Sequence, residues 1–171
     1  MDDSHGTSPQ VHPSIMEVDA DKYLAFVTSL DLFHGVSREA VKHVLKRGQV
    51  LEYPERATIF HEGQPGEHVF IVLKGRVGIF VKKELVALCR AGQSFGELSP
   101  IAGEVRTASS VADKDSLILS LSVKALESLS RDGFAVRFLI NVIHDCHQML
   151  QSANAEVTRL RLRLEEFEAK P

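Results

Sequence analysis

The period of the apolar residues changes three times along the chain. Met1 to Ser14 has none and is rich in Ser, Pro, Gly, Asp and His, the composition of a disordered tail, which we extend to residue 18. From Asp19 the residues Tyr23, Leu24, Phe26, Val27 and Leu30 recur at helical spacing. A turn at His34-Gly35 follows, and Ser37 can cap a second helix through Val41, Val44 and Leu45. Short β-branched and aromatic runs then alternate with glycine turns: Gln49–Tyr53, Thr58–His61, His68–Lys74, Arg76–Val81, Leu85–Cys89, Ser109–Ala112 and Ser116–Ser122. Many short strands at this spacing predict a mainly β fold, an antiparallel roll of jelly-roll type with flanking helices, rather than a parallel α/β sheet. Residues 19–132 would form this unit.

Past Val123 the period is helical again, and residues 133–171 read as a long helix. Leu139, Ile143, Cys146, Leu150, Ala153, Val157, Leu160, Leu164 and Phe167 follow an uninterrupted 4,3,4,3 spacing, a heptad seam. With Ile143, Leu150, Val157 and Leu164 at a, a parallel in-register pair sets Glu156 against Arg161 of the other chain and Arg163 against Glu168. Both pairings attract, so the seam predicts a parallel homodimer, although exposed ion pairs add little energy. The alternative is a single helix laying its stripe on its own roll. Arg159–Leu164 also alternates with period two, but the seam on either side favours helix and leaves Leu162 outward.

Between two of the apolar runs lies Phe95-Gly96-Glu97-Leu98-Ser99-Pro100-Ile101-Ala102-Gly103-Glu104-Val105-Arg106-Thr107-Ala108. It sets an acid and an arginine nine residues apart across a glycine-bounded insertion. A carboxylate can accept from a ribose hydroxyl, and a guanidinium can pair with a phosphate through its planar fork. Gly96 frees backbone to approach a ligand, and the first turn of a helix favours an anion. The stretch resembles the phosphate-binding cassette of the cyclic nucleotide-binding domains, found in catabolite-activator regulators, cyclic-nucleotide-dependent kinase regulators and cyclic-nucleotide-gated channels. The resemblance extends upstream through Ile59-Phe60, Glu62-Gly63, Gly66-Glu67, Val69 to Val72, Gly75, Val77 and Gly92, and covers roughly Leu32 to Leu129.

The resemblance implies a ligand, cAMP or cGMP, and roles for particular residues. Arg106 would pair with the cyclic phosphate and Glu97 would accept from the ribose 2′-hydroxyl. Gly96, Leu98 and Ser99 would offer backbone N–H groups around the sugar-phosphate. Thr107 could bond the phosphate and reach the 2-amino group of a syn guanine, which admits cGMP without demanding it. Val77 and Val86 fall where relatives pack apolar side chains on the purine, and plain core valines are the alternative. Ungapped counting to the base-covering helix gives Gln151 and Ser152, whereas superposing the seam gives Ala153 and Asn154. Two departures from the family pattern stand out: Pro100 replaces a common aliphatic residue of the cassette helix, and Val105 replaces a frequent proline.

Composition narrows the remaining classes. The 171 residues are 44% apolar, enough for one domain with a core, and a net charge of −3 gives no electrostatic reason to expect a nucleic-acid binder. Cys89 and Cys146 form no C-x-x-C motif and read as free thiols in a reducing cytoplasm. No run reaches the roughly 18 apolar residues of a membrane span, and the N-terminus lacks a secretory pattern. His144 and His147 flank Asp145 and Cys146 without a second ligand pair, so no metal site is expected. No nucleophile–base constellation suggests an enzyme. The reading is a cytoplasmic cyclic mononucleotide receptor whose dimer helix regulates an unidentified protein effector, without membrane or direct DNA contact. In the family a helix-turn-helix of about sixty further residues follows the dimer helix, and with the sequence read to Pro171 direct operator binding is not expected. A transcription regulator lacking its DNA-binding part, or a ligand-free scaffold that dimerises a complex, are the alternatives.

Overall fold

The chain is described from a computed structural model, for residues 13–16, 19–127 and 133–168. Among the described residues nine antiparallel strands form two sheets. The first has the order β1 (Ser14–Met16), β2 (Gln49–Tyr53), β9 (Ser116–Ser122), β4 (His68–Lys74) and β7 (Ser94–Phe95). The second has the order β3 (Thr58–Phe60), β8 (Ser109–Ala112), β5 (Arg76–Val81) and β6 (Glu84–Arg90). Helices α1 (Ala20–Thr28), α2 (Arg38–Leu45), α3 (Leu98–Ala102), α4 (Val123–Glu127) and α5 (Phe134–Glu168) flank them. This is the mainly β roll with a long C-terminal helix that the periodicity predicts.

The central strands β4 and β9 carry apolar residues toward both sides because both of their faces are covered. Val69, Ile71, Leu119 and Leu121 point to one side and join α1, α2 and α5 in a helical core. Phe70, Val72 and Ile118 point to the other and meet Val77 and Ala112 of the second sheet inside the roll. Asp19 caps α1 by accepting from the Lys22 N–H, and Ser37 caps α2 by accepting from the Ala40 N–H.

Helix α5 docks by its first turns alone. Phe134, Phe138 and Val142 are buried at successive intervals of four, and Phe138 meets Phe33 at 5.9 Å between ring centroids. Asn141 donates both amide hydrogens, to the carbonyls of Leu32 at 2.9 Å and His34 at 3.0 Å. Those carbonyls belong to the turn that Gly35 closes at φ +71°. Beyond Cys146 every residue of the helix is exposed, including Leu150, Val157, Leu160, Leu164 and Phe167. Arg159–Leu164 lies within this helix despite its period-two alternation.

The N-terminal reading changes in one respect. Residues 1–12, 17 and 18 lie outside the described ones, but Ser14–Met16 forms β1, which pairs antiparallel with β2 through Ile15 opposite Leu51. Three exposed residues carry no apolar period, so only the ladder with β2 defines this strand. Cys89 and Cys146 are half-buried free thiols, and burial, with the charge of Glu97, pushes Cys89 up to about 11.

Candidate functional site

The cassette begins where β7 ends. Gly96 turns the chain at φ +72°, Glu97 takes the N-cap position of α3, and Gly103 closes the helix at φ +71°. Pro100 is the third residue of α3, inside the first turn, where its missing N–H costs no intrahelical bond. The returning strand is pinned by backbone: the Arg106 N–H donates to the Gln64 carbonyl and the Gly63 N–H to the Arg106 carbonyl, both at 2.8 Å.

Arg106 is 4% exposed, and its side chain runs into the roll. Nη1 donates to the Gly96 carbonyl and Nη2 to the His68 carbonyl, the latter at 2.8 Å. The guanidinium carbon lies 4.2 Å from the centroid of Phe60 and 5.4 Å from that of Phe70. Phe60, Phe70 and Phe95 stack with centroids 5.3–6.0 Å apart, so three strands build one aromatic wall. Two glycines border the cation. A Cβ on Gly96 would stand 2.7 Å from Nη1, and one on Gly66 would stand 2.6 Å from the Ser99 Cβ and 3.3 Å from the Arg106 Cζ.

Glu97 is 7% exposed, and burial raises its carboxyl above the usual range, reinforced by the charge of Asp145 and opposed by Arg106. Burial likewise lowers the Arg106 guanidinium, which Glu97 counteracts. The two side chains feel each other's charge without forming an ion pair. Each keeps a buried atom without a partner, Oε2 of Glu97 and Nε of Arg106. One acceptor and one charged donor thus stand ready in a region of low dielectric. That donor set fits a ligand with a hydroxyl beside an anion.

The structure brings Gly96, Glu97, Ser99 and Arg106 together, with Ser99 also buried. Leu98 and Thr107 flank them at the exposed surface. Val77 is fully buried between the sheets, opposite Cys89 and Ala112. Val86 lies on the outer face of β6, 57% exposed. The register shifts between Ile79 and Phe80, and Ala87 and Cys89 alternate inward in its place. Gln151, Ser152 and Asn154 stand on the exposed part of α5, past its last contact with the core, and do not join the cassette; neither does Ala153. The turn of α5 whose charge and thiol respond to Glu97 holds Asp145 and Cys146 instead. The sequence reading gave no role to Phe60, Phe70, Phe95 or Gly66. Phe60, Gly66 and Phe70 belong to the pattern upstream of the cassette, the one signal that could have singled them out.

Residues 50–132 match the family model of the cyclic nucleotide-binding domain. Over 95 residues the chain is 35% identical to the cyclic AMP receptor protein of Thermus thermophilus, covering 53% of this chain and 44% of that one. It is 29% identical over 106 residues to a CRP-like cAMP-activated global transcriptional regulator of Mycobacterium tuberculosis, covering 59% of this chain and 47% of the relative. The chain thus spans under half the length of these curated relatives. The crystal structure of a cyclic nucleotide-binding domain from Methylobacillus flagellatus superposes with a TM-score of 0.74 at 25% identity, covering 91% of this chain and 92% of that one. Residues 50–132 of the chain thus carry a cyclic nucleotide-binding domain.

Proposed function

We propose that the protein is a receptor for a cyclic mononucleotide, cAMP or cGMP, which acts through its C-terminal helix on a protein effector in the cytoplasm. The observation that carries this reading is the buried Glu97 and Arg106 of one cassette, each with an unpartnered polar atom. Arg106 takes the cyclic phosphate, Glu97 the ribose 2′-hydroxyl, and the backbone around Gly96, Leu98 and Ser99 the remaining oxygens. Thr107, exposed beside Arg106, is placed to add a hydroxyl at the phosphate.

The exposed seam from Leu139 to Phe167 pairs with a second copy in parallel, as its spacing and the Glu156–Arg161 and Arg163–Glu168 pairings support. Nucleotide binding closes the cassette and shifts which turns of α5 are docked. A ligand can drive this only through differential affinity for the two helix positions. Among the described residues no helix is long and apolar enough to cross a membrane, and the net charge of −3 favours a protein effector over DNA.

One observation favours a second reading, a scaffold that keeps the fold without the ligand: Arg106 already donates to two backbone carbonyls. Isothermal titration of the full chain with cAMP and with cGMP separates the two. Saturable binding of either supports the receptor. A folded protein that binds neither is the scaffold.

A further inference from the structure

Ser110 is fully buried, with 0% exposure, and its hydroxyl has no partner. It sits on β8, where Ser110 and Ala112 face the interior of the roll while Ser109 and Val111 are only half-buried. The neighbouring hydroxyls are satisfied. Ser109 accepts from the Glu62 N–H at 2.9 Å, and Ser116 donates to the Lys114 carbonyl at 2.7 Å. Among the described residues three buried side-chain atoms lack a partner: Glu97 Oε2, Arg106 Nε and Ser110 Oγ. The first two belong to the cassette.

The third belongs to the same interior. Ser110 pairs across the sheet with Phe60 on β3 and with Ile79 on β5. Phe60 is the ring over which the Arg106 guanidinium lies. Arg106 and Ser110 are four residues apart along the chain, a reach of at most about 13–14 Å. That is of the order of the span from phosphate to base in a mononucleotide. A buried hydroxyl without a partner is destabilising, and here the adjoining walls are Phe60 and Ile79, which offer none.

Building on the cyclic nucleotide reading, we propose that Ser110 is a contact for the base, completing a row of three polar groups: Arg106 at the phosphate, Glu97 at the sugar and Ser110 beyond them. A hydroxyl both donates and accepts, so it serves the polar edge of either purine. The sequence pattern does not single this residue out, because Ser109 beside it on β8 is small and polar too.

The test compares wild type with Ser110→Ala and Ser110→Cys, which keeps the volume but only a weak donor. Thermal unfolding is measured without ligand, and affinity is titrated with cAMP, cGMP and 2′-deoxy-cAMP. Ser110→Ala should unfold at a higher temperature than wild type and bind cAMP or cGMP more weakly, by roughly fivefold or more. Ser110→Cys should show a similar loss. The loss should be the same for 2′-deoxy-cAMP, since the base contact is independent of the sugar. Unchanged affinity in either folded variant overturns the proposal while leaving the receptor reading intact. A loss that vanishes with the 2′-deoxy ligand puts Ser110 at the sugar and also overturns it. Wild type that folds yet binds neither nucleotide overturns both.

Discussion

The guanidinium carbon of Arg106 lies 4.2 Å from the Phe60 ring centroid while its two terminal nitrogens donate to the carbonyls of Gly96 and His68. The cation is thus held from two strands and a turn before any anion meets it. Such preorganisation lowers the ordering cost of binding. It also gives Arg106 a structural role, because truncating it leaves two carbonyls to find other partners.

Arg106→Ala should therefore weaken cyclic nucleotide binding by roughly 2–5 kcal/mol, the range for losing one partner of a buried charge pair. Arg106→Lys should recover only part of this, since an ammonium lacks the planar fork. Phe60→Leu keeps the charge and removes only the ring, and should cost about 0.5–2 kcal/mol in affinity. Calorimetric titration beside a thermal melt checks all three. Undiminished affinity in a folded Arg106→Ala would remove Arg106 from the phosphate.

Glu97 makes two separable predictions. A 2′-deoxy cyclic nucleotide should bind wild type more weakly, and Glu97→Ala should erase that difference, so the two losses should not add in a double cycle. Burial raises the Glu97 carboxyl above its ordinary 4.5, so the fold prefers the neutral acid. Its contribution to the stability of the unliganded protein is complete below that ordinary value and is lost as pH rises through the raised one. Glu97→Gln should lack this loss. Asp145 shifts in the same direction, so the informative quantity is the difference between the wild-type and Glu97→Gln stability profiles across the acid range.

Thr107 is exposed beside the cassette and free to turn its hydroxyl. Thr107→Ala should weaken cGMP more than cAMP if that hydroxyl reaches a syn guanine. An equal loss for both ligands would confine it to the phosphate, and no loss would remove it from the site.

The strands most legible in the sequence are those buried on both faces. β4 reads as an apolar run and β9 as one broken only by Ser120, and their bounds coincide with the predicted ones. β1 and β7 were not legible, because three exposed residues and two residues carry no period. The acid and the arginine could be picked out because they share one contiguous stretch. The aromatic wall could not, since Phe60, Phe70 and Phe95 converge from three strands. Val86, placed by counting against the family pattern, stands exposed on the outer face of β6, and such counting does not see the register shift at Ile79 and Phe80. Counting along α5 likewise missed where the helix leaves the core, which the docking of Phe138, Asn141 and Val142 decides.

The β5–β6 hairpin stores backbone strain. Lys82 and Lys83 occupy its two-residue turn at φ +49° and +72°, where Asn-Gly would be unstrained. Lys83→Gly should raise stability by roughly 0.5–1 kcal/mol, because glycine relieves the left-handed penalty at little steric cost. Denaturant unfolding reads this directly.

The seam from Leu139 to Phe167 leaves Leu150, Val157, Leu160, Leu164 and Phe167 between 48% and 77% exposed on a helix in which every residue past Cys146, as far as Glu168, is exposed. An isolated chain gains little from ordering such a stripe, whereas a parallel pair buries it. Leu160→Asp would place a charge without a partner in that interface, at roughly 3–5 kcal/mol, and should give a monomer by light scattering. The roll should still fold, because the helical core ends at Cys146 on this helix and the core inside the roll includes no part of it. Hydrogen exchange along residues 139–167, with and without cAMP or cGMP, then tests the switch. Protection that redistributes among the turns supports it, and identical protection leaves a binding domain that does not signal through this helix. A wild type that is monomeric at working concentration would refute the dimer.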